Sequence, residues 1–305
     1  MSASKTEWIA VDWGTTNLRA WLFDASGGII AERSSGDGMG RLSPEAFEPK
    51  LLMLVGEYLS EDDVVHVIAC GMVGARQGWA EAPYAAVPCA PPGIERAKAA
   101  PSRDPRLQVR ILPGVCQAAP ADVMRGEETQ IAGFLALNPG FEGAICLPGT
   151  HTKWVRVGAG EIASFRTFMT GELFALLGAQ SLLRHSFSGE EWDDVAFLDA
   201  VTDAMAAPEM VTADLFSIRA AGLLHGLSGA AARARLSGLL FGVELAGARP
   251  YWAGRKVALV GSEALCRLYE KALAEHGVTT QRADADAITL AGLKAAYEES
   301  KGKKS

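Results

Sequence analysis

The sequence predicts an α/β protein made of two similar domains. Its 305 residues are enough for two domains with separate hydrophobic cores. A strand–turn–strand pattern in residues 8–24 also recurs in residues 143–167, and strand and helix patterns follow both copies. A duplicated hairpin about half a chain apart indicates two related domains that face each other.

The first hairpin has apolar residues at alternate positions on both sides of a polar turn, Gly14-Thr15-Thr16-Asn17. Because Gly14 lacks a Cβ, the chain can bend sharply there and approach another group closely. The next residues offer N–H groups and two hydroxyls, which suit phosphate oxygens. Asp12 precedes the turn and could hold a hydrated Mg²⁺ that neutralises those phosphates. An ordinary hairpin turn with the same residues is the alternative.

Further strands and helices are predicted in turn between the two hairpins. A third strand follows Gly27-Gly28, and Ser43-Pro44 predicts a helix start with serine as its cap. Residues 64–69 predict a buried strand that enters a glycine-rich loop. The proline-rich passage 83–105 predicts little regular structure, and another strand and a helix over residues 124–137 follow it.

The second hairpin carries the turn Gly149-Thr150-His151-Thr152. Two such turns facing one another would bind a nucleotide tail from both sides. The chain beyond is mainly helical by its apolar periodicity. Residues 257–261 predict a strand, which leads into a helix that begins near Ser262 and ends at Gly277. Asp286 is predicted to cap the last helix.

Composition excludes several classes of protein. The chain is 49% hydrophobic and 21% charged, with a mean hydropathy of +0.11 and a net charge of −7, so it is a folded globule. An acidic chain without a long basic run is not expected to bind nucleic acid or an anionic membrane. Its five scattered cysteines lack metal-ligand spacing and indicate reduced thiols. With no apolar leader and no run long enough to span a bilayer, we expect a cytoplasmic protein.

Six strings in this order make the chain similar to the 2-dehydro-3-deoxygalactonokinase family of the sugar kinase, Hsp70 and actin superfamily. The strings are DWGTTNLRAW, CGMVGARQGW, DVMRGEETQ, LPGTHTKW, FMTGELFALL and VGSEALC. The resemblance covers Trp8 to about Tyr297. It implies an α/β actin-like ATPase fold of two ribonuclease H-like domains with an interdomain cleft. The N-terminal domain would be residues 1–138, rejoined by the C-terminal helix 286–300, and the C-terminal domain would be residues 139–285.

The resemblance also implies an activity and its cofactors. The family transfers the γ-phosphoryl group of ATP, with Mg²⁺, to the 6-hydroxyl of 2-dehydro-3-deoxy-D-galactonate in galactonate degradation. Its partner is therefore a small sugar acid, and assembly with further copies of the chain stays open. Nucleotide-binding residues would be the two turns and an adenosine segment: Gly14, Thr15, Thr16, Asn17, Gly149, Thr150, His151, Thr152, Gly261, Ser262 and Glu263.

The general base has two candidates under this resemblance. Exopolyphosphatase-like relatives carry a glutamate two residues after a glycine in this region, which selects Glu128. Some sugar kinases place a catalytic aspartate nearby, which selects Asp122. Glu127 and Glu128 could instead only stabilise a helix N-terminus through its dipole.

Recognition of a sugar acid calls for a cation that binds its carboxylate. Arg76 lies in the glycine-rich loop that relatives use to meet the sugar, and Arg19 or Arg166 could replace it. Arginine suits a carboxylate better than lysine because it can donate two parallel hydrogen bonds. Gln77 and Asn17 could bond sugar hydroxyls.

One position departs from the common superfamily pattern. Many relatives have an acidic residue two before the glycine of the second hairpin, where this chain has Leu147. We therefore expect Asp12 alone to hold the metal with phosphates and water. Lys153 could add positive charge or be an exposed strand lysine. A phosphohydrolase of the exopolyphosphatase type and a non-catalytic nucleotide-gated binding module are the alternative functions.

Overall fold

The computed structural model describes residues 5–189 and 191–302. It contains fourteen strands and nine α-helices in these ranges, in an α/β arrangement. The strands are β1 (Trp8–Trp13), β2 (Leu18–Phe23), β3 (Ile29–Ser35), β4 (Val65–Cys70), β5 (Tyr84–Ala86), β6 (Lys98–Ala99), β7 (Leu107–Ile111), β8 (Gly114–Gln117), β9 (Asp122–Met124), β10 (Gly143–Leu147), β11 (Thr152–Gly158), β12 (Glu161–Phe168), β13 (Val257–Gly261) and β14 (Thr280–Asp284). The helices are α1 (Phe47–Val55), α2 (Glu127–Leu137), α3 (Thr170–Gln180), α4 (Asp194–Ala206), α5 (Val211–His225), α6 (Gly229–Gly247), α7 (Arg249–Trp252), α8 (Glu263–Ala274) and α9 (Ala285–Gly302).

The described chain divides into two compact units. The first contains the residues up to Phe141, Val157–Ser164 and the chain from Ala285 onward. The second contains Glu142–Arg156 and Phe165–Asp284. The segment 157–164 belongs to the first unit, where Ile162 forms an isolated bridge with Cys89.

Both hairpins are confirmed, and each one opens a sheet of the same strand order. The larger sheet runs β3-β2-β1-β4-β7-β6, with β1–β4 and β4–β7 parallel. The second sheet runs β12-β11-β10-β13-β14, with β10–β13 and β13–β14 parallel. In each sheet the first hairpin strand therefore lies beside a later parallel strand, which places the hairpin turn near the carboxyl ends of the parallel strands.

The first unit buries both faces of its larger sheet. In β1, Ile9, Val11 and Trp13 pack into a cluster that includes α1, while Trp8 and Ala10 pack on the other face with α9. Successive side chains of a strand point to opposite faces, so a strand covered on both sides is mainly apolar, as β1 is apart from Asp12. A three-stranded sheet, β5-β8-β9, completes this unit.

The second unit is largely helical beyond its sheet, as predicted. Its core joins β10, β11 and β13 with α4, α6 and α8, and a second cluster lies among α4, α5 and α6. Gly238 and Gly242 of α6 face α4, where an added Cβ would lie 2.3 Å from the Phe197 carbonyl oxygen and 2.6 Å from that of Val201, respectively. The described helices include none that is long and apolar enough to cross a membrane.

One prediction about a capping residue is wrong. Asp286 does not cap the last helix, because α9 already begins at Ala285 and the Asp286 carboxylate pairs with Arg19. The helix start expected at Ser43-Pro44 is confirmed: Ser43 is in the N-cap position and Pro44 is in the first turn. That turn is a 3-10 turn, Pro44–Ala46, before α1, and the Ser43 side chain makes no cap hydrogen bond.

Candidate active site

The first turn, residues 14–17, is closed by a hydrogen bond from the Gly14 N–H to the Asn17 carbonyl at 3.0 Å. Three of its carbonyl oxygens accept hydrogen bonds from the loop after β3. The Gly38 N–H donates to the Thr16 carbonyl, the Met39 N–H to that of Gly14 and the Gly40 N–H to that of Thr15, at 3.0–3.1 Å. Thr15, Thr16 and Asn17 are exposed, and their N–H groups have no partner among the described residues. A row of free amides beside two hydroxyls is an arrangement that binds phosphate oxygens.

Gly38 is a residue that the sequence reasoning missed. An added Cβ at this position would lie 2.2 Å from the Thr16 carbonyl carbon and 2.4 Å from the Thr15 oxygen. Only glycine therefore allows the loop to approach the turn so closely. The contact joins residues distant in the chain, and local turn chemistry gives no sign of it.

If this turn binds the phosphates of a nucleotide, as the family resemblance implies, Gly38→Ala should raise KM for that nucleotide about fivefold or more, because overpacking of this kind costs about 1–3 kcal/mol and must displace the turn. Steady-state kinetics with varied nucleotide would measure it. Gly36→Ala is the matched control, since its Cβ would meet nothing within 4 Å. Equal KM values for the two variants would contradict a close-packed turn.

Asp12 lies at the end of β1, opposite Arg19 of β2 in the strand register. Arg19 donates to Asp12 Oδ2 at 2.7 Å and also pairs with Asp286. The second oxygen, Oδ1, has the Cys70 thiol at 3.8 Å. No group of three or more metal-ligating side chains occurs among the residues described, so a cation here would have one carboxylate oxygen and otherwise phosphate and water. That donor set fits Mg²⁺, which keeps several waters and binds through one or two carboxylates.

Glu128 is a buried carboxyl beside this site. It is 1% exposed, and both of its oxygens accept the Gly126 N–H, at 2.8 and 2.9 Å. Burial raises the pKa of this carboxyl most, and the negative charge of Glu127 raises it further. The hydrogen bond from Gly126 lowers it, and the resulting pKa is about 8. An added Cβ on Gly126 would lie 3.3 Å from the Gly71 Cα, and one on Gly71 would lie 3.3 Å from Asp12 Oδ1. Gly71 therefore lies close both to Asp12 and to Gly126, whose N–H is bonded to Glu128.

The rival base, Asp122, lies elsewhere in the same unit. It begins β9 in the three-stranded sheet, and its carboxylate accepts the N–H of its neighbour Val123 at 2.8 Å. The structure therefore places Glu128, rather than the β9 aspartate, beside the Gly71 junction. A role for Glu128 in closing the start of α2 is also present, because its bonds to Gly126 satisfy an amide at that helix end.

The glycine-rich loop after β4 presents Arg76 and Gln77 to solvent. Arg76 has no ion pair within the described ranges, so its guanidinium is available to an anion. Trp79 is not a surface for a sugar: it is 6% exposed and packs against Trp13 and Phe47 in the core. Arg19 is already paired twice, and Arg166 is exposed on β12 in the second unit.

Arg125 supports this loop from inside the first unit. Its guanidinium donates to the Ala82 carbonyl at 2.8 Å and stacks over Tyr84, 4.3 Å from the ring centroid. An added Cβ at Gly74 would lie 2.9 Å from Arg125 Nη1. The loop that bears Arg76 therefore packs on a buried cation that sequence reasoning did not single out.

The second turn, residues 149–152, is packed against the start of α3. Glu172 N–H donates to the Thr150 carbonyl at 2.9 Å, and the Glu172 carboxylate pairs with the His151 ring. An added Cβ at Gly171 would lie 2.4 Å from the Gly149 carbonyl oxygen. Lys153 is 6% exposed, so it is not an exposed strand lysine.

A cavity of about 130 Å³ opens beside this turn within the second unit. Its wall includes Gly149, Phe174, Trp192, Leu240, Leu265 and Leu268. Leu265 and Leu268 belong to α8, which begins at the predicted adenosine segment. Gly261 ends β13, and an added Cβ there would lie 3.2 Å from Pro148 Cδ. Ser262 caps α8, its hydroxyl accepting the Leu265 N–H at 3.5 Å, and Glu263 is exposed in the first turn.

A second buried carboxylate, Glu244, lies behind the cavity. It is 1% exposed on α6, and it accepts hydrogen bonds from Trp154, Thr170 and Tyr269. Burial raises its pKa to about 7, although each of these hydrogen bonds lowers it. The signal available in the sequence was a lone acid in the apolar stretch LLFGVELAG.

Comparisons with known proteins identify one family over nearly the whole chain. The profile of the 2-keto-3-deoxy-galactonokinase family matches residues 12–296. A Rhizobium meliloti (strain 1021) protein assigned as a 2-dehydro-3-deoxygalactonokinase is 42% identical, over 94% of this chain and 95% of its own. The Escherichia coli (strain K12) 2-dehydro-3-deoxygalactonokinase is 34% identical, over 94% of this chain and 96% of its own. A Sinorhizobium meliloti crystal structure with the same assignment superposes with a TM-score of 0.90 at 41% identity, over 96% of this chain and 98% of that one.

Proposed function

The chain belongs to the 2-keto-3-deoxy-galactonokinase family, and we propose that it transfers the γ-phosphoryl group of ATP to the 6-hydroxyl of 2-dehydro-3-deoxy-D-galactonate. The family match carries the proposal, because it spans both phosphate turns, the Arg76 loop and the acidic start of α2. The two units would be the two ribonuclease H-like domains of an actin-like ATPase fold, with boundaries near the predicted residues 138 and 285.

Nucleotide contacts are proposed in each unit: the first turn in the first unit, and the second turn with the cavity in the second unit. The free amides of residues 15–17 and the turn at 149–152 would bind phosphate oxygens. The apolar cavity beside Leu265 would take the adenine ring, with Gly261 and Ser262 beside the ribose. Asp12 Oδ1 would be the protein ligand of Mg²⁺, which would offset charge on the phosphates when bound.

The proposed chemistry is an in-line displacement at phosphorus. The 6-hydroxyl oxygen bonds to the γ-phosphorus while the bond from that phosphorus to the β,γ-bridging oxygen breaks, and ADP leaves. The hydroxyl proton goes to Glu128, with Asp122 as the alternative acceptor. A carboxyl whose pKa is raised to about 8 binds a proton more strongly than an ordinary glutamate, which favours this transfer.

Coupled measurement of ADP formation tests the proposal. We expect ADP release that depends on 2-dehydro-3-deoxygalactonate and produces the 6-phosphate one for one. Release at the same rate without the sugar acid would identify a phosphohydrolase instead. Slow release unaffected by the sugar acid, with tight nucleotide binding, would identify a nucleotide-gated binding module.

Arg76 is the proposed partner of the substrate carboxylate, since its guanidinium is exposed and without an ion pair in the described chain. Loss of a charged hydrogen bond costs about 1.5–3 kcal/mol. We therefore expect Arg76→Ala to raise KM for the sugar acid about tenfold or more, with KM for ATP unchanged. Arg96→Ala removes another exposed arginine and is the control. A matching rise in Arg166→Ala, with none in Arg76→Ala, would move the carboxylate site to Arg166.

A further inference from the structure

We propose that Glu244 is a positioning residue that fixes the second phosphate turn relative to the cavity, and that its ionised form is the one that supports nucleotide binding. This inference rests on the proposed function, because it assigns the cavity and the turn to the nucleotide. Glu244 itself is enclosed in the core of the second unit and would not touch the ligand.

The Glu244 carboxylate joins its own helix, α6, to three other elements, β11, α8 and α3. Trp154 Nε1 of β11 donates to Oε1 at 2.7 Å. The Tyr269 hydroxyl of α8 lies 2.8 Å from Oε1 and 3.0 Å from Oε2, and the Thr170 hydroxyl at the start of α3 donates to Oε2. The Thr152 hydroxyl lies 3.0 Å from that of Tyr269. Hydrogen bonds to a charged acceptor are the stronger kind, so this carboxylate fixes its donors firmly.

The donors are parts of the proposed nucleotide site. Thr152 ends the turn at 149–152, and Thr170 directly precedes Gly171, which contacts the turn at the Gly149 carbonyl. Thr152, Thr170 and Tyr269 all contribute to the cavity wall. The hydroxyl groups of these three residues donate their hydrogens to Glu244 or to one another. The residues therefore present mainly carbon atoms to the cavity. Glu244 thus controls both the position of the turn and the apolar character of the cavity.

The charge of Glu244 matters because a carboxylate only accepts hydrogen bonds, whereas a protonated carboxyl carries a proton of its own. Protonation would force one donor to turn away, toward the cavity or the turn. The pKa of about 7 places this change near neutral pH. The other titratable groups facing Glu244 are Tyr269 on α8 and Cys146 on β10. The pKa values of both are raised well above the usual ones, mainly by burial and next by the Glu244 charge. Neither of them changes charge at neutral pH.

Calorimetric titration with ADP and Mg²⁺ at pH 6 and pH 8 tests the inference in the full-length protein. A group with a pKa of about 7 is roughly 10% ionised at pH 6 and roughly 90% at pH 8, so wild-type affinity should be up to about tenfold higher at pH 8. Glu244→Gln cannot ionise and should bind more weakly, with this rise removed. Protonation of ADP itself affects both proteins alike. The test is therefore whether ADP affinity changes between pH 6 and pH 8 more in wild type than in Glu244→Gln. KM for the sugar acid should not change.

Two further variants complete the experiment. His151→Gln is the control for the titratable residue on the turn itself. This variant should keep the wild-type ratio of ADP affinity at pH 8 to ADP affinity at pH 6. Trp154→Phe removes one donor to the charged form and keeps Glu244, so the midpoint of the affinity change should move to higher pH. That variant decides the question if Glu244→Gln fails to fold. Equal pH dependence in wild type and Glu244→Gln, or an unmoved midpoint in Trp154→Phe, would overturn the inference. Absence of ADP binding in the wild type would instead reject the proposed function.

Discussion

Asp12→Asn is expected to lower kcat for phosphoryl transfer by about 10²–10³-fold, because charge stabilisation by a metal is worth several kcal/mol at the transition state. The substitution keeps the size of the side chain and one oxygen, but it removes the charge that would hold Mg²⁺ beside the first turn. The fold should survive, since Asp12 is only half-buried and near the end of β1. Steady-state kinetics over a range of Mg²⁺ concentrations, with circular dichroism as a check of folding, measures the effect.

Asp286→Asn is the matched control for that experiment. Arg19 pairs with both Asp12 and Asp286, so either substitution removes one ion pair from the same arginine. Exposed or partly exposed pairs contribute about 0–1 kcal/mol, and Asp286→Asn should therefore stay within a few-fold of wild type. Similar losses in both variants would show that the ion pair with Arg19 matters, and wild-type activity in Asp12→Asn would reject Asp12 as the metal ligand.

Local chemistry explains which parts of the site were predictable. The Gly14 turn and the β13–Ser262–α8 unit are short segments whose residue types dictate their backbone, and the structure has both where the sequence predicts them. The shared strand order of the two sheets follows from the repeated hairpin. These features depend on neighbours within a few residues, and one sequence contains that information.

Features that depend on distant contacts were not predictable. Gly38 and Gly171 are needed only because other segments lie against them, and no local pattern says which glycines are approached. Trp79 could face a sugar or the core by its position in the loop, and only the packing with Trp13 decides for the core. The partners of Glu244 come from residues 154–269 of the chain, so a lone acid in an apolar helix was the only sign of the network.

The two buried carboxylates, Glu244 and Glu128, also differ in whether their hydrogen-bond donors are distant or near in the sequence. Glu244 accepts hydrogen bonds from three side chains, and the carboxyl is enclosed by the second unit. Glu128 accepts from the Gly126 amide and, at 3.4 Å, from the Thr129 hydroxyl, both within two residues of it in the chain, and it lies beside Gly71 and Asp12. A carboxyl that donors surround on all sides is suited to fixing positions, whereas one with fewer bonds at a loop junction is suited to accepting a proton. This difference supports the separate roles proposed for them.

Glu128→Gln is expected to lower kcat by about 10²–10⁴-fold with little change in KM for either substrate, because a general base contributes in the transition state. Wild-type activity should rise with pH up to about 8, since the base must be deprotonated and its pKa is raised to about 8 by burial. Asp122→Asn is the matched variant, with a carboxylate replaced by its amide in the same unit. A large loss of kcat in Asp122→Asn alone would assign the base to Asp122.

Protein stability reports the ionisation of Glu128 independently of catalysis. The native state holds this proton more tightly than the unfolded chain, whose glutamate has the ordinary pKa of 4.5. Linkage then makes the contribution of Glu128 to the free energy of unfolding greatest below pH 4.5, and it is lost progressively as the pH rises to about 8. Urea unfolding from pH 5 to pH 9 should therefore show a decline in wild type that is smaller in Glu128→Gln. If the two curves were parallel while Glu128→Gln still lost activity, Glu128 would act as an ordinary ionised acid, and the pH limit near 8 would belong to another group.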